Sequence, residues 1–241
     1  MQRAIELAAY GEGYVAPNPL VGCVIVHEGK VIGEGFHRQY GEAHAEVNAI
    51  ASVERKELLR DSTLYVTLEP CAHFGKTPPC SNRILESKIP RVVIGCRDPF
   101  AAVNGKGIEQ LRLAGVEVIT DVLHEQCRHL NRRFFTFHEK KRPYVILKWA
   151  QSADGFMDID RTSGQVGSFM ISSVDTQVLV HSWRAQEAAI LVGKNTFLND
   201  NPSLTVRKAT GRNPLRVVLS SAYIDLSASR LNTPAAPTLV V

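Results

Sequence analysis

Apolar and polar positions interleave with two different periods along this chain. Residues 2–10 repeat their apolar side chains at helical spacing and predict a short amphipathic helix. The runs VGCVIV (21–26) and VIGEGF (31–36) are β-rich, and His27-Glu28-Gly29-Lys30 between them is a hairpin signal. A helix follows over 44–52, then TLYVTL (63–68), an apolar β-branched run that reads as a buried strand. Beyond it the pattern predicts a helix at 81–87, a strand at 91–95, a helix at 105–114 and a strand at 116–120. Val122, Leu123, Leu130 and Phe134 extend one long helical pattern to about residue 138. Strands with intervening helices imply an α/β fold, a sheet covered by helices.

His138-Glu139-Lys140-Lys141-Arg142-Pro143 is charged, ends in proline and precedes a fresh strand pattern, so it is the best linker candidate. It divides the chain into 1–140 and 143–241. The second part predicts strands near 144–150, 188–193 and 215–220, a helix over 174–186 and a final strand, TLVV. A part of that size stopping on a strand reads as incomplete.

Composition narrows the class. The chain has 241 residues, 44% hydrophobic and 22% charged, an ordinary globular mixture. No run reaches the ~20 apolar residues that span a bilayer, and charges interrupt the N-terminal apolar pattern. A cytoplasmic address and no membrane partner are therefore expected. The formal net charge of +4 suits a phosphorylated substrate, and on charge alone direct nucleic-acid binding is not expected. An odd number of cysteines, five, argues against a disulfide framework and for metal ligands or small core residues. Cys23 and Cys96 lie in strand-like runs and Cys127 on a helical pattern, so these three read as core.

The chemistry concentrates at His44-Ala45-Glu46, Pro70-Cys71 and Cys80. A catalytic zinc takes three protein ligands and leaves its fourth position to water, whose pKa it lowers to roughly 7. His44, Cys71 and Cys80 supply three such ligands, and Glu46 is placed to carry protons without binding the metal. His44 and Glu46 should open one helix, and Pro70 suits the first turn of another. Zinc deaminases share the order H-x-E…P-C-x-x-C. This chain keeps the order and departs in the spacing, with eight residues (72–79) between its cysteines. A structural zinc site closed by His73 remains the alternative, as does a buried histidine beside two core cysteines.

The stretch from Pro70 to Cys80 reads PCAHFGKTPPC; upstream stand Ala16-Pro17-Asn18-Pro19, Val21-Gly22 and Gly33-Glu34-Gly35-Phe36-His37, and downstream Asp98-Pro99. Residues 1–140 closely resemble the deaminase half of the bifunctional riboflavin-biosynthesis deaminase–reductase family. That resemblance implies a cytidine-deaminase-like three-layer α/β/α sandwich. It also implies hydrolytic deamination of 2,5-diamino-6-(5-phosphoribosylamino)pyrimidin-4-one to the 5-amino-uracil form. Asn18, His37, His73, Lys76 and Asp98 would contact this small phosphorylated substrate, Lys76 as a compact cation for the phosphate. Lys148-Trp149-Ala150-Gln151-Ser152-Ala153-Asp154-Gly155, Trp183-Arg184-Ala185 and residues 201–207 resemble the opening of the family's reductase, a dihydrofolate-reductase-like α/β domain that uses NADPH. By that resemblance Ala150, Met170, Thr196 and Asp200 line the cofactor, while Ser168, Arg184, Leu204 and Arg207 face the substrate. Met170 stands where the family usually has Trp. The Gly-rich phosphate loop that the resemblance leads one to expect later in the domain does not occur before Val241, so the reductase part is read as C-terminally truncated.

Two rival readings stay open at this point. One is a deaminase for nucleosides, guanine or tRNA adenosine, which the basic residues Arg128, Arg132, Arg133, Lys140, Lys141 and Arg142 keep in view. The other is a non-catalytic zinc-stabilised scaffold, against which Glu46 argues. The oligomeric state, a homo-oligomer included, is not legible.

Overall fold

The structure, a computed structural model, describes residues 1–73, 78–161 and 166–241. It divides into two compact units, Met1–Val145 and Ile146–Val241.

In the first unit, α1 (Gln2–Ala9) precedes a hairpin of β1 (Gly22–His27) and β2 (Lys30–Phe36). The hairpin closes through Glu28 at φ 49 and Gly29 at φ 76, the left-handed pair that a two-residue β-turn requires. Next come α2 (Ala45–Ser52), a 3₁₀ turn (Lys56–Asp61), β3 (Thr63–Leu68), α3 (Cys80–Glu86), β4 (Arg91–Cys96), α4 (Lys106–Leu113), β5 (Glu117–Ile119), α5 (His124–Leu130) and α6 (Arg132–Lys140). The sheet order is β2-β1-β3-β4-β5; β1 runs antiparallel to β2 and β3, and β3, β4 and β5 are parallel.

Alternation along β1 sorts the helices into layers. Cys23 and Ile25 face a core shared with Ala49 and Ile50 of α2, Ile84 of α3 and Leu111 of α4. Val24 faces the other way, onto Ala4 and Leu7 of α1, and Cys127 of α5 packs with Leu68 and Cys96. Helices on both faces make the three-layer sandwich. Two glycines allow that closeness: a Cβ on Gly22 would lie 1.9 Å from the Ala4 carbonyl oxygen, and one on Gly35 would lie 2.3 Å from the Ala49 nitrogen. The three cysteines read as core are all fully buried.

The first-unit elements fall where the pattern places them, with three differences. The long helix expected to residue 138 is two helices, broken at Asn131. Its side chain accepts from the Leu20 N–H and donates to the Leu20 carbonyl, both at 2.8 Å, an exchange across 111 positions that no local period contains. Pro70 and Cys71 do not open a helix; they lie in the turn after β3, and α3 begins at Cys80. The start of the expected linker, His138–Lys140, is instead the last turn of α6, where His138 stacks on Phe134 at 4.4 Å and cationic side chains suit the helix C-terminus.

In the second unit, α7 (Val174–Gln186) is capped by Ser173, whose side chain accepts from the Thr176 N–H. It is followed by β6 (Ala189–Gly193), α8 (Lys194–Asp200), β7 (Leu215–Leu219) and β8 (Thr238–Val240). These three strands are all parallel, in the order β6-β7-β8. Phe197, Leu204, Val218, Ile224 and Leu231 form the core. Residues 144–150, expected as a strand, have no regular structure, and Leu147 is 78% exposed. β-rich composition needs a neighbouring strand edge before it becomes a strand, and none pairs with it among the described residues.

Candidate active site

Three chain segments converge at the edge of α2 and the C-terminal ends of β3 and β4. His44 is the N-cap of α2, with φ −73 and ψ 166, and Glu46 stands in its first turn. The Asn48 side chain fixes that end by donating to the carbonyls of Phe36 (2.8 Å) and Ala43 (3.3 Å). Cys71 follows β3, and Cys80 opens α3. The ligand atoms of His44, Cys71 and Cys80 all lie within 4.8 Å of one another. His44 Nδ1 is 3.2 Å from Cys80 Sγ and 3.7 Å from Cys71 Sγ. Nitrogen and sulfur ligands on one tetrahedral zinc sit about 3.6 Å apart, given bonds of ~2.1 and ~2.3 Å, so the donor set fits that metal. The thiols are already differentiated: hydrogen bonds from the Cys80 thiol, His44 and the Cys80 N–H pull the Cys71 thiol well down, while Cys80 is pushed up beside it. His73, the alternative fourth ligand, is not part of the cluster; its ring stands edge-on to Phe100 at 6.0 Å.

Glu46 is 3% exposed, and burial raises its carboxyl to about 7, with His44 pulling the other way and Cys71 adding to the rise. A carboxyl near neutrality can both take and give a proton at cellular pH.

A cavity of about 480 Å³ opens beside this cluster, lined in part by His44, Glu46 and Cys71. Asn18, His37, His73 and Asp98 line the same cavity, so four of the five expected substrate contacts of the first unit share one space with the zinc cluster. Lys76 lies outside the described residues. His37 is 2% exposed; its Nδ1 is 3.1 Å from the Ala43 carbonyl and its Nε2 3.1 Å from Asn18 Nδ2. A carbonyl only accepts, so Nδ1 carries the proton and Nε2 accepts from Asn18. Burial also lowers the imidazole pKa and keeps the ring neutral. Burial raises the Asp98 carboxyl to about 6.

The sequence reading missed the aromatic wall of the cavity. Phe134, Phe137 and His138 of α6 line it with Phe100, and the Phe100 and His138 rings lie 5.3 Å apart. Their i, i+3, i+4 spacing was legible, but it is equally the mark of a core face. Glu69 was also passed over, although both its oxygens are engaged by backbone N–H groups.

In the second unit, Arg184 and Arg207 converge on the Thr205 carbonyl, at 2.8 and 3.4 Å. The Arg184 Nε is buried without a partner among the described residues, and burial lowers its pKa. Thr196 and Asp200 lie one turn apart on α8, and Asp200 pairs with Arg161 at 3.2 Å. Ser168 and Met170 are exposed and Ala150 is half-buried, all three on irregular backbone. The Leu204 side chain is 5% exposed and packs into the core with Phe197 and Val218, which leaves its backbone groups for any contact with a ligand.

The cytidine and deoxycytidylate deaminase zinc-binding region matches residues 1–96, and the RibD C-terminal domain matches residues 143–241. The riboflavin biosynthesis protein RibD of Aquifex aeolicus is 45% identical over 243 residues, covering 100% of this chain and 67% of that protein. The chain belongs to the RibD family. The RibD protein of Escherichia coli is 38% identical over 92% of the chain and 62% of its own length. A crystal structure of the diaminohydroxyphosphoribosylaminopyrimidine deaminase/5-amino-6-(5-phosphoribosylamino)uracil reductase from Thermotoga maritima superposes with a TM-score of 0.91 at 45% identity, covering 100% of this chain and 68% of that one. Acinetobacter baumannii RibD gives a TM-score of 0.85 at 34% identity, over 100% of this chain and 72% of that one. The chain spans 57% to 67% of the length of the first three curated relatives it matches. The fold class is that of a cytidine-deaminase-like domain followed by a RibD reductase-type domain, and no described helix is long and apolar enough to cross a membrane.

Proposed function

We propose that this RibD-family chain deaminates a phosphorylated diaminopyrimidinone hydrolytically, converting 2,5-diamino-6-(5-phosphoribosylamino)pyrimidin-4-one to its 5-amino-uracil form in riboflavin biosynthesis. The observation that carries this is Glu46, buried at a cavity wall beside three clustered metal-binding side chains. His44, Cys71 and Cys80 are the ligands. What zinc supplies in that position is a water nucleophile at neutral pH. Glu46 accepts the proton lost by the attacking water and delivers it to the ring nitrogen. It then serves the departing amine, so one water is consumed, the C–N bond breaks toward nitrogen and one ammonia leaves. Asn18, whose Nδ2 is committed to His37, keeps its Oδ1 to accept from a ring N–H or a sugar hydroxyl. Asp98 accepts from the substrate on the same cavity, and Lys76 takes the phosphate. A cytoplasmic address accords with five free cysteines.

For the second unit the reading is NADPH-dependent reduction of the ribosyl group, with Ala150, Met170, Thr196 and Asp200 toward the cofactor and Ser168, Arg184, Leu204 and Arg207 toward the substrate. The paired guanidinium groups at Thr205, with no ion pair to a carboxylate among the described residues, support an anion such as the substrate phosphate there.

The test is ammonia release by the zinc-loaded chain. We expect turnover of the diaminopyrimidinone phosphate and none of cytidine, guanine or RNA. The reverse pattern sinks the assignment.

A further inference from the structure

Glu69 directly follows β3, two residues before Cys71, and is 3% exposed. Its Oε2 accepts from the N–H groups of Gly105 (2.9 Å) and Asp98 (3.2 Å), and its Oε1 from those of Gly107 (3.0 Å) and Ile108 (3.3 Å). Its own N–H donates to the Cys96 carbonyl at 2.9 Å. One carboxylate therefore ties the exits of β3 and β4 to the first turn of α4. That turn needs an outside acceptor: its N-cap is Gly105, in the left-handed region at φ 88, with no side chain to supply one. The packing is equally close, since a Cβ on Gly107 would lie 2.0 Å from the Pro70 carbonyl oxygen.

The anchored pieces face the cavity. Asp98, pinned through its backbone N–H, accepts from the Phe100 N–H at 2.8 Å, and both residues line the cavity wall. From α4, Gln110 bonds Ser81 and Asn82 of α3 at 2.8 and 2.6 Å, and the Ser81 hydroxyl donates to the Cys71 carbonyl at 3.0 Å. We propose that Glu69 is a positioning residue of the deaminase site: through four backbone N–H groups it holds the 98–108 loop, and with it Asp98 and Phe100, against the turn that carries Cys71. The deaminase part of this statement rests on the function proposed above.

The test uses the full chain, loaded with zinc, as Glu69→Gln and Glu69→Ala. Zinc content should stay near that of the parent, because no ligand is touched. For Glu69→Ala, KM for the diaminopyrimidinone phosphate should rise roughly tenfold or more, with a smaller fall in kcat, because displaced contacts reach the ligand first. Glu69→Gln should lie between, keeping one acceptor oxygen. Amide exchange at 98, 105, 107 and 108 should accelerate in both. If Glu69→Ala does not fold, Gly107→Ala presses the same turn off Pro70 with the carboxylate intact and should give the same KM-weighted loss. An unchanged KM in zinc-replete variants overturns the proposal, as does activity loss that merely tracks folded protein, or unaltered amide exchange. Were the parent itself inactive on this substrate, the functional reading would fall, and the exchange measurement would still decide the clamp.

Discussion

Glu46→Gln separates proton transfer from metal binding, since it exchanges one oxygen for a nitrogen and leaves His44, Cys71 and Cys80 in place. A positioned general acid–base contributes about 10²–10⁴ in rate, equivalent to about 3–5 kcal/mol of barrier. On the proposed mechanism Glu46 serves both the water and the leaving amine, so we expect the upper half of that range. The change should not cost stability. Burial raises the carboxyl from 4.5 to about 7, so at pH 8 the folded, metal-free protein carries an ionised form disfavoured by roughly 3 kcal/mol. A neutral amide removes that penalty and should melt no lower than the parent. The assay pairs ammonia release under saturating substrate with metal analysis on the same sample, and thermal melting on the metal-free protein. Turnover within a few-fold of the parent, at full zinc content, would refute the assigned role; lost turnover accompanied by lost zinc would show that the side chain holds the metal site instead.

Three further outcomes follow from other parts of the molecule. His44→Ala and Cys71→Ser should each lose most of the about one zinc per chain expected of the parent, read by metal analysis, and should lose the stabilisation that added zinc gives the parent. Gly22→Ala should destabilise the first unit by about 1–3 kcal/mol in denaturant melts, because its Cβ meets the Ala4 carbonyl oxygen at 1.9 Å and α1 must move; a neutral effect would mean that the α1–β1 approach is looser. His181 of α7 accepts from the Arg207 N–H at 2.9 Å, and burial, then Arg184, Arg207 and Lys208, lower it to about 4. A depressed folded-state pKa gives stability that is complete above pH 6.5 and lost as pH falls toward 4, worth about 2 kcal/mol after partial solvent access is allowed for. His181→Gln should flatten that window in melts of the chain between pH 7 and 4, and an identical pH profile for parent and variant would exclude the assignment.

The convergence of His44, Cys71 and Cys80 beside Glu46 was legible because metal-binding chemistry is written in residue types. Few side chains bind zinc, and His44-Ala45-Glu46 with Pro70-Cys71 and Cys80 keeps their order whatever the spacing between the cysteines. The resemblance carried by residues 70–80 added Asn18, His37, His73 and Asp98, and the structure brings these to one cavity. Elements of the first unit were legible for a different reason: β1, β3 and α2 are stretches whose local period matches the environment that buries them. The reading failed where a distant partner outweighed the local pattern. Asn131 breaks a continuous helical period because Leu20 takes both of its hydrogen bonds. Residues 144–150 have strand composition and no strand edge to pair with among the described residues.

The amino-acid order by itself therefore determined which metal-binding side chains and which carboxyl come together, and where most helices and strands of the first unit begin. Tertiary structure alone decided how acidic those groups are, that α6 supplies an aromatic wall, and that Glu69 is a buried acceptor and not one more surface charge. The reason is physical. Ligand chemistry and backbone periodicity are properties of neighbours in sequence, whereas desolvation and hydrogen-bond satisfaction depend on what the rest of the chain brings into contact.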